Sequence, residues 1–243
     1  MKILTTGILY FFIPAMLIAA PIKNFNAKYD VYHNEFYVGE TSRTLNFKNN
    51  YFRFSSVTKT AGLAALFSDI TINETSQLVL DNNHLNFFSY HFDEMKDDKN
   101  SRYQLSIDEE SRQLYNSHTQ KYYPVTKNLY DMLGFTIAIM HDLKNGQRLL
   151  KYTLASKDKI KSYQLKFIQE EKLVSDNEEI ITLKMEHYDP QKKQRFTFWC
   201  AKNLDFLPIK VQKIKSNGDE ILLNLTMLNQ RKFDLPLNDE EFD

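Results

Sequence analysis

The chain has 243 residues, of which 42% are hydrophobic, and its 31 Lys and Arg residues equal its 31 Asp and Glu residues in number. This hydrophobic content predicts a packed core and excludes a globally disordered chain. Because no basic surplus remains, we exclude nucleic acid as a partner that is held by bulk electrostatics.

The N-terminal segment 1–20 has the composition of a secretory signal peptide. Lys2 precedes an apolar run from Ile3 to Ala20 that ends in small residues, as signal peptides do. We therefore predict export to the periplasm. An uncleaved anchor is the alternative, since about 18 mostly apolar residues approach the length of a membrane span. No second run of this length follows, so we predict no membrane span after the signal is removed.

From Tyr29 onward, the main pattern is alternation of apolar and polar residues, which is typical of strands with one buried face. Sheets of this kind are normally antiparallel. Asn and Asp separate the strand-like runs because they tolerate the left-handed backbone of tight turns. These turns lie at residues 33–35, 48–50, 81–83, 175–178 and 216–219. We predict a mainly β fold, in which an antiparallel meander curls into an open or incomplete barrel. A single domain is expected over residues 28–234, with an acidic tail over 235–243.

The first break in this alternation is the segment Thr60–Asp69, TAGLAALFSD, for which we predict a helix over residues 60–68. Leu63, Leu66 and Phe67 fall on one face of such a helix. A helix of about nine residues is marginal in water by itself, so we expect it to be buried in the concavity of the sheet. It could complete the core, or it could be a movable lid over a lipophilic cavity.

The second break is residues 128–144, where apolar residues recur at helical spacing. Asn128 is expected to cap the start of this helix, Asp131 to lie in its first turn, and Gly146 to end it. With the first helix, it supplies most of the candidates for lining a lipophilic site, which are Leu63, Leu66, Phe67, Leu133, Ile137 and the strand residue Phe198.

No motif for catalysis, metal binding or a cofactor is present. The glycines do not form a phosphate-binding loop, there is no nucleophile elbow, and the carboxylate pairs fall at predicted turns or in the tail. The only cysteine, Cys200, follows Trp199 in an apolar strand pattern and is expected to be a buried, inert thiol. No metal site is predicted, because paired spacing is lacking among the six histidines, His33, His84, His91, His118, His141 and His187.

Several segments in order resemble the exported Gram-negative family catalogued as domain of unknown function 3108. Two of them are the most specific, TAGLAALFSD and a W-x-A-x-x-L-x-x-L-P pattern that runs from Trp199 to Pro208. In that family, the small helix is often followed by a basic residue, where this chain has Ile70. The resemblance implies the fold and the compartment but no activity. At the level of fold, the predicted architecture is also similar to periplasmic carriers that hold lipoprotein acyl chains in a half-barrel closed by helices.

Three functions are compatible with the sequence. The first is a non-enzymatic periplasmic protein that binds a lipophilic ligand or an envelope component in or beside the curled sheet, because an acyl-binding pocket needs apolar lining more than special residues. The second is a structural or assembly factor of the envelope with a fully packed core. The third is a hydrolase whose site is assembled in space from distant residues.

Overall fold

The computed structural model describes residues 21–108 and 110–237, and the predicted signal peptide 1–20 and the end of the acidic tail lie outside them. This part of the chain contains sixteen strands, one α-helix and two short 3₁₀ helices. The strands before the α-helix are β1 Phe25–His33, β2 Phe36–Lys48, β3 Tyr51–Thr60, β4 Ile70–Asp81, β5 His84–Lys96, β6 Lys99–Ile107, β7 Gln113–Asn116, β8 Lys121–Pro124 and β9 Leu129–Asp131.

The α-helix, α1, spans Phe135–Lys144, and the 3₁₀ helices span Gly62–Leu66 and Lys202–Leu204. The strands after α1 are β10 Leu149–Ala155, β11 Ile160–Ser175, β12 Glu178–Asp189, β13 Gln194–Ala201, β14 Leu207–Ile214, β15 Glu220–Leu228 and β16 Arg231–Lys232.

The strands form one curled sheet that is not closed. Its order is β8-β7-β6-β5-β4-β3-β2-β1-β15-β14-β13-β12-β11-β10-β9, with β16 beside β15. Neighbours pair antiparallel, except for the parallel pair β9 and β10. The ends of this order, β8 and β9, do not pair with each other. This arrangement confirms the predicted antiparallel meander that curls into an incomplete barrel.

The tight turns use Asn and Asp as the sequence predicts. Left-handed backbone is found at Asn49 and Asn50 between β2 and β3, and at Asn82 and Asn83 between β4 and β5. Paired positive φ values in two-residue turns match the twist of the strands that they join. Bulges in β1, after Lys28 and after Val31, interrupt its pairing with β15 and β2, and such bulges bend a strand and increase its twist.

Helix α1 fills the hollow of the curled sheet. It contacts β9, β10 and β14, and every residue from Phe135 to Met140 is buried. A helix that is apolar on all sides needs cover on all sides. The sheet provides it, because the buried faces of its strands surround the helix with a single hydrophobic core.

The start of α1 differs from the prediction. Its last turn ends as expected at Lys144, with Gly146 at φ +81°, but residues 129–131 form strand β9 instead of a first helical turn. Asn128 has φ +59° and donates its side-chain amide to the Lys151 carbonyl. The parallel ladder from Leu129–Asp131 to Thr153–Ala155 therefore overrides the local helical periodicity.

The segment after β16 packs against the sheet. Phe233 and Leu235 are buried, and the Asn224 amide donates to the Leu235 carbonyl over 2.8 Å. Residue 235, where the acidic tail was expected to begin, thus belongs to packed structure.

Candidate functional site: the apolar rim

The predicted lipophilic lining divides into two groups that lie in different places. Leu133, Ile137 and Phe198 are buried in the core. The ring of Phe135 on α1 packs edge-to-face on Phe198, with 5.8 Å between the ring centroids. Aromatic and aliphatic side chains thus occupy the place where a ligand was expected. These three residues line neither of two surface clefts, which have volumes of about 660 Å³ and 960 Å³.

Leu63, Leu66 and Phe67 are exposed, and the expectation that they lie inside the sheet is wrong. Their side chains are 76%, 78% and 88% accessible to solvent. The segment forms only a five-residue 3₁₀ helix, Gly62–Leu66, which has no buried residue. It joins β3 to β4 at one end of the sheet, while α1 already fills the hollow. The core of the described residues includes α1 but no residue of Gly62–Leu66.

The exposed turn is held in place by its flanking residues. The Thr60 hydroxyl donates to the Ser68 carbonyl over 3.0 Å and accepts from the Ile70 amide over 3.0 Å. It thereby joins the two ends of the loop. The Asp69 amide donates to the Asp97 carboxylate, and the Asp97 amide donates to the Asp69 carbonyl. The apolar side chains are therefore presented by a turn that is anchored at both ends.

The turn packs on the start of β2. The Ala61 amide donates to the Val38 carbonyl over 3.1 Å. A Cβ atom at Gly62, which has φ +60°, would lie 3.3 Å from the Tyr37 ring, so glycine suits both the backbone and the contact. Phe36, next to Tyr37, is 75% exposed. We define the apolar rim as Phe36, Tyr37, Leu63, Leu66 and Phe67.

Charges of both signs surround the apolar rim. Lys59 on β3 and Asp69 immediately before β4 flank the turn, and both are exposed. On the neighbouring strand β5, Lys96 lies opposite Ile70. Asp97 follows Lys96 in sequence. Because exposed charges of both signs lie at this end of the sheet, the apolar side chains are what distinguishes the surface.

One buried polar group escaped the sequence predictions. Asp131, at the end of β9, is fully buried. Its carboxylate accepts from the Ser76 hydroxyl over 2.5 Å and from the amides of Leu133 and Gly134 over 2.8 Å each. Burial raises the pKa of Asp131 to about 6. Since Asp residues are common before helices, no sequence signal distinguishes this one from an exposed cap.

Asp131 and Ser76 resemble the pairing of a desolvated carboxylate with a hydroxyl that a hydrolase would need. Both side chains are fully buried, and neither lines the 660 Å³ or the 960 Å³ cleft. A nucleophile must reach its substrate. We therefore assign this pair a structural role, in which it fixes β9 and the start of α1 to β4.

One surface cleft, of about 660 Å³, has both polar and apolar side chains in its walls. It lies beside the stacked rings of Tyr163 and His187, whose centroids are 3.6 Å apart. Burial lowers the pKa of His187. Within the described ranges, no cluster of three His, Cys, Asp or Glu residues is arranged to hold a metal ion. None of the helices in those ranges has the length and apolarity to cross a membrane.

The chain belongs to the family described as "Protein of unknown function (DUF3108)", whose sequence model matches residues 28–226. This match confirms the family resemblance expected from TAGLAALFSD and the Trp199 motif. The comparison with curated proteins gave no match.

Among solved structures, the chain is similar to a β-barrel-like protein of domain of unknown function DUF1849 from Brucella abortus. The TM-score is 0.56 at 10% sequence identity, and the alignment covers 90% of this chain and 100% of the other. At this identity, the similarity concerns the fold.

Proposed function

We propose that the protein is a non-enzymatic component of the cell envelope that is exported to the periplasm and binds a lipid surface through the apolar rim. The observation that carries this proposal is the exposure of Leu63, Leu66 and Phe67, each more than three-quarters accessible on one anchored turn. Contiguous exposed apolar groups of this kind mark interaction sites for proteins or membranes.

The size of the apolar rim favours a lipid surface over a protein partner. Its five side chains present on the order of 600 Å², less than the roughly 800 Å² that each partner of a stable protein complex buries. The apolar groups also lie on a turn at the end of the sheet, where they can enter a lipid interface without a complementary pocket. Full transfer of each Leu or Phe side chain from water contributes about 1.5–3 kcal/mol, which suits reversible binding.

The second candidate function is a structural or assembly factor of the envelope with a packed core. The burial of Leu133, Ile137 and Phe198 supports it, because these predicted lining residues pack against other side chains of the core. In that case, the apolar rim would have no lipid affinity of its own.

Vesicle flotation distinguishes the two functions. All protein samples have the same N-terminus, either with the predicted signal peptide 1–20 or without it. They are mixed with vesicles of zwitterionic phospholipid, with and without anionic lipid. We expect flotation that changes little with anionic lipid or salt, because apolar side chains make the contact and charges of both signs surround the apolar rim. The triple variant Leu63→Ser, Leu66→Ser, Phe67→Ser should lose it.

The matched control removes three exposed apolar side chains from other strands, in the variant Leu149→Ser, Val174→Ser, Ile181→Ser. This control should float like the unmodified protein. Equal flotation of both triple variants, or no flotation of the unmodified protein, would reject lipid binding through the apolar rim and leave the structural role.

A further inference from the structure

A second surface, at the other end of β4 from the apolar rim, has the features of a ligand site. A cleft of about 960 Å³ lies where residues 125–130 and the C-terminal end of α1 face the β4–β5 turn. Along this cleft, β9 contacts β5, but the two strands are not paired in the sheet. We call it the seam cleft. Its volume falls within the roughly 300–1,000 Å³ of ligand pockets.

The walls of the seam cleft are rich in neutral amides. Each side-chain amide offers two donor hydrogens and an acceptor oxygen, so the walls can both donate to and accept from a hydroxyl group. Six such side chains line it, namely Asn82, Asn83, Asn86, Asn128, Asn145 and Gln147.

Contacts within the protein fix part of these walls before any ligand binds. The Asn83 amide donates to the Asn145 side-chain oxygen over 3.1 Å, across the seam cleft from the β4–β5 turn to α1. Asn145 in turn donates to the His141 carbonyl over 2.9 Å. Gln147 donates to the Asp142 carboxylate over 3.2 Å. Walls ordered in advance lose less conformational entropy when a ligand binds.

The formal charges of the lining cancel. Asp81 and Asp142 contribute two carboxylates, and Arg112 and Lys127 contribute two cations. The helix end at this cleft is the C-terminal end of α1, where the backbone carbonyls carry partial negative charge. This arrangement disfavours an anionic ligand, and the two cations oppose a cationic one.

The floor of the seam cleft is apolar. Leu85, Leu129 and Tyr130 line it and are buried, and the Tyr130 hydroxyl already donates to the Leu85 carbonyl over 2.6 Å. A ligand must therefore place carbon-bound hydrogens on the floor and hydroxyl groups on the walls. Sugar rings combine these two kinds of surface.

We propose that the seam cleft binds a neutral oligosaccharide of a few sugar rings. The amide walls hold its hydroxyl groups, and the apolar floor accepts the faces of its rings. This site does not depend on lipid binding by the apolar rim, since the two surfaces share no residue.

Nuclear magnetic resonance titration of ¹⁵N-labelled full chain tests the proposal. The probes are the tetramers of N-acetylglucosamine and of α-1,4-linked glucose, with glucosamine and galacturonate tetramers as cationic and anionic counterparts. We expect saturable shifts in the side-chain amides of the seam cleft with at least one neutral probe, and weaker binding of both charged probes.

The variant Asn86→Ala, Gln147→Ala removes two exposed lining side chains and should weaken binding roughly tenfold. The control Asn100→Ala changes an exposed amide on β6 outside the seam cleft and should leave the affinity unchanged. The proposal is overturned by the absence of saturable shifts up to about 10 mM neutral probe. Unchanged affinity in the double variant, or equal binding of a charged probe, would also overturn it.

Discussion

The Asp131 carboxylate on β9 accepts a 2.5 Å hydrogen bond from the Ser76 hydroxyl on β4. These strands do not pair with each other in the sheet, so this contact joins two parts of the curl that no ladder joins directly. Asp131 also accepts the Leu133 and Gly134 amides, and thereby fixes the start of α1 inside the hollow.

The first prediction concerns pH. Burial raises the pKa of Asp131 from 3.8 to about 6, so the folded state binds the proton more tightly than the unfolded state. Its contribution to stability is greatest below the unfolded pKa and is lost as the pH rises through the folded pKa. This loss is on the order of 3 kcal/mol.

Urea unfolding at several pH values between 4 and 7 measures this effect. Asp131→Asn retains an acceptor for the backbone amides but does not titrate, so the unfolding free energy of the variant should depend less on pH over that range. Parallel pH profiles for the two proteins would contradict the assignment.

The second prediction compares the two insertions. Leu66→Ala removes an exposed side chain and should change the unfolding free energy by no more than about 0.5 kcal/mol. Ile137→Ala leaves a cavity beside α1 and should cost roughly 2–5 kcal/mol. Denaturant midpoints at unchanged slope give both values. If Leu66→Ala lowered the unfolding free energy by several kcal/mol, the turn Gly62–Leu66 would be buried in solution.

The third prediction concerns close packing at the start of α1. A Cβ atom at Gly134 would lie 2.3 Å from the Ser76 hydroxyl oxygen and 2.6 Å from Asp131 Oδ2. The backbone of Gly134, with φ −61° and ψ −28°, is favourable for alanine, so any loss reports the clash. We expect Gly134→Ala to cost about 1–3 kcal/mol by thermal or urea unfolding.

Gly218→Ala is the matched control for backbone strain. Gly218 has φ +86°, and no atom lies within 4 Å of the position that a Cβ would take, so alanine there introduces left-handed strain of about 1–2 kcal/mol without a clash. If Gly134→Ala leaves stability unchanged while Gly218→Ala reduces it, the packing between β4, β9 and α1 is looser than the 2.3 Å and 2.6 Å distances indicate.

The fourth prediction concerns the only cysteine. Cys200 is fully buried, and burial raises the pKa of its thiol. Since the thiolate is the reactive form, a chromogenic disulfide reagent should release no colour from the native protein and one equivalent from the urea-unfolded protein. Rapid reaction of the native protein would place Cys200 at an accessible position.

Much of the sheet could be predicted from the sequence, because alternation and turn residues act locally. The left-handed pairs at residues 49–50 and 82–83 occur where Asn marks a turn. Gly146 marks the end of α1 for the same reason, since a glycine past the last turn adopts the left-handed backbone without strain.

The placement of the two insertions could not be predicted in the same way. Both segments are apolar. The spacing of apolar residues predicts local conformation, but it does not indicate which segment enters the hollow. The structure shows that residues Phe135–Met140 of α1 are buried in the hollow. The turn Gly62–Leu66 has no buried residue. The role of Asp131 depends on Ser76, 55 residues away, and no local pattern indicates that contact.

The pairing of β1 with both β2 and β15 has a consequence for folding kinetics. Ala27 pairs with Arg43 in the nearby strand and with Leu228 near the end of the chain. Hairpins can form early between strands that are neighbours in sequence, such as β1 and β2. The pairing of β1 with β15 can form only when the C-terminal strands are available. Contacts between residues so distant in sequence slow folding, so we expect a late step in which the two halves of the chain join at β1.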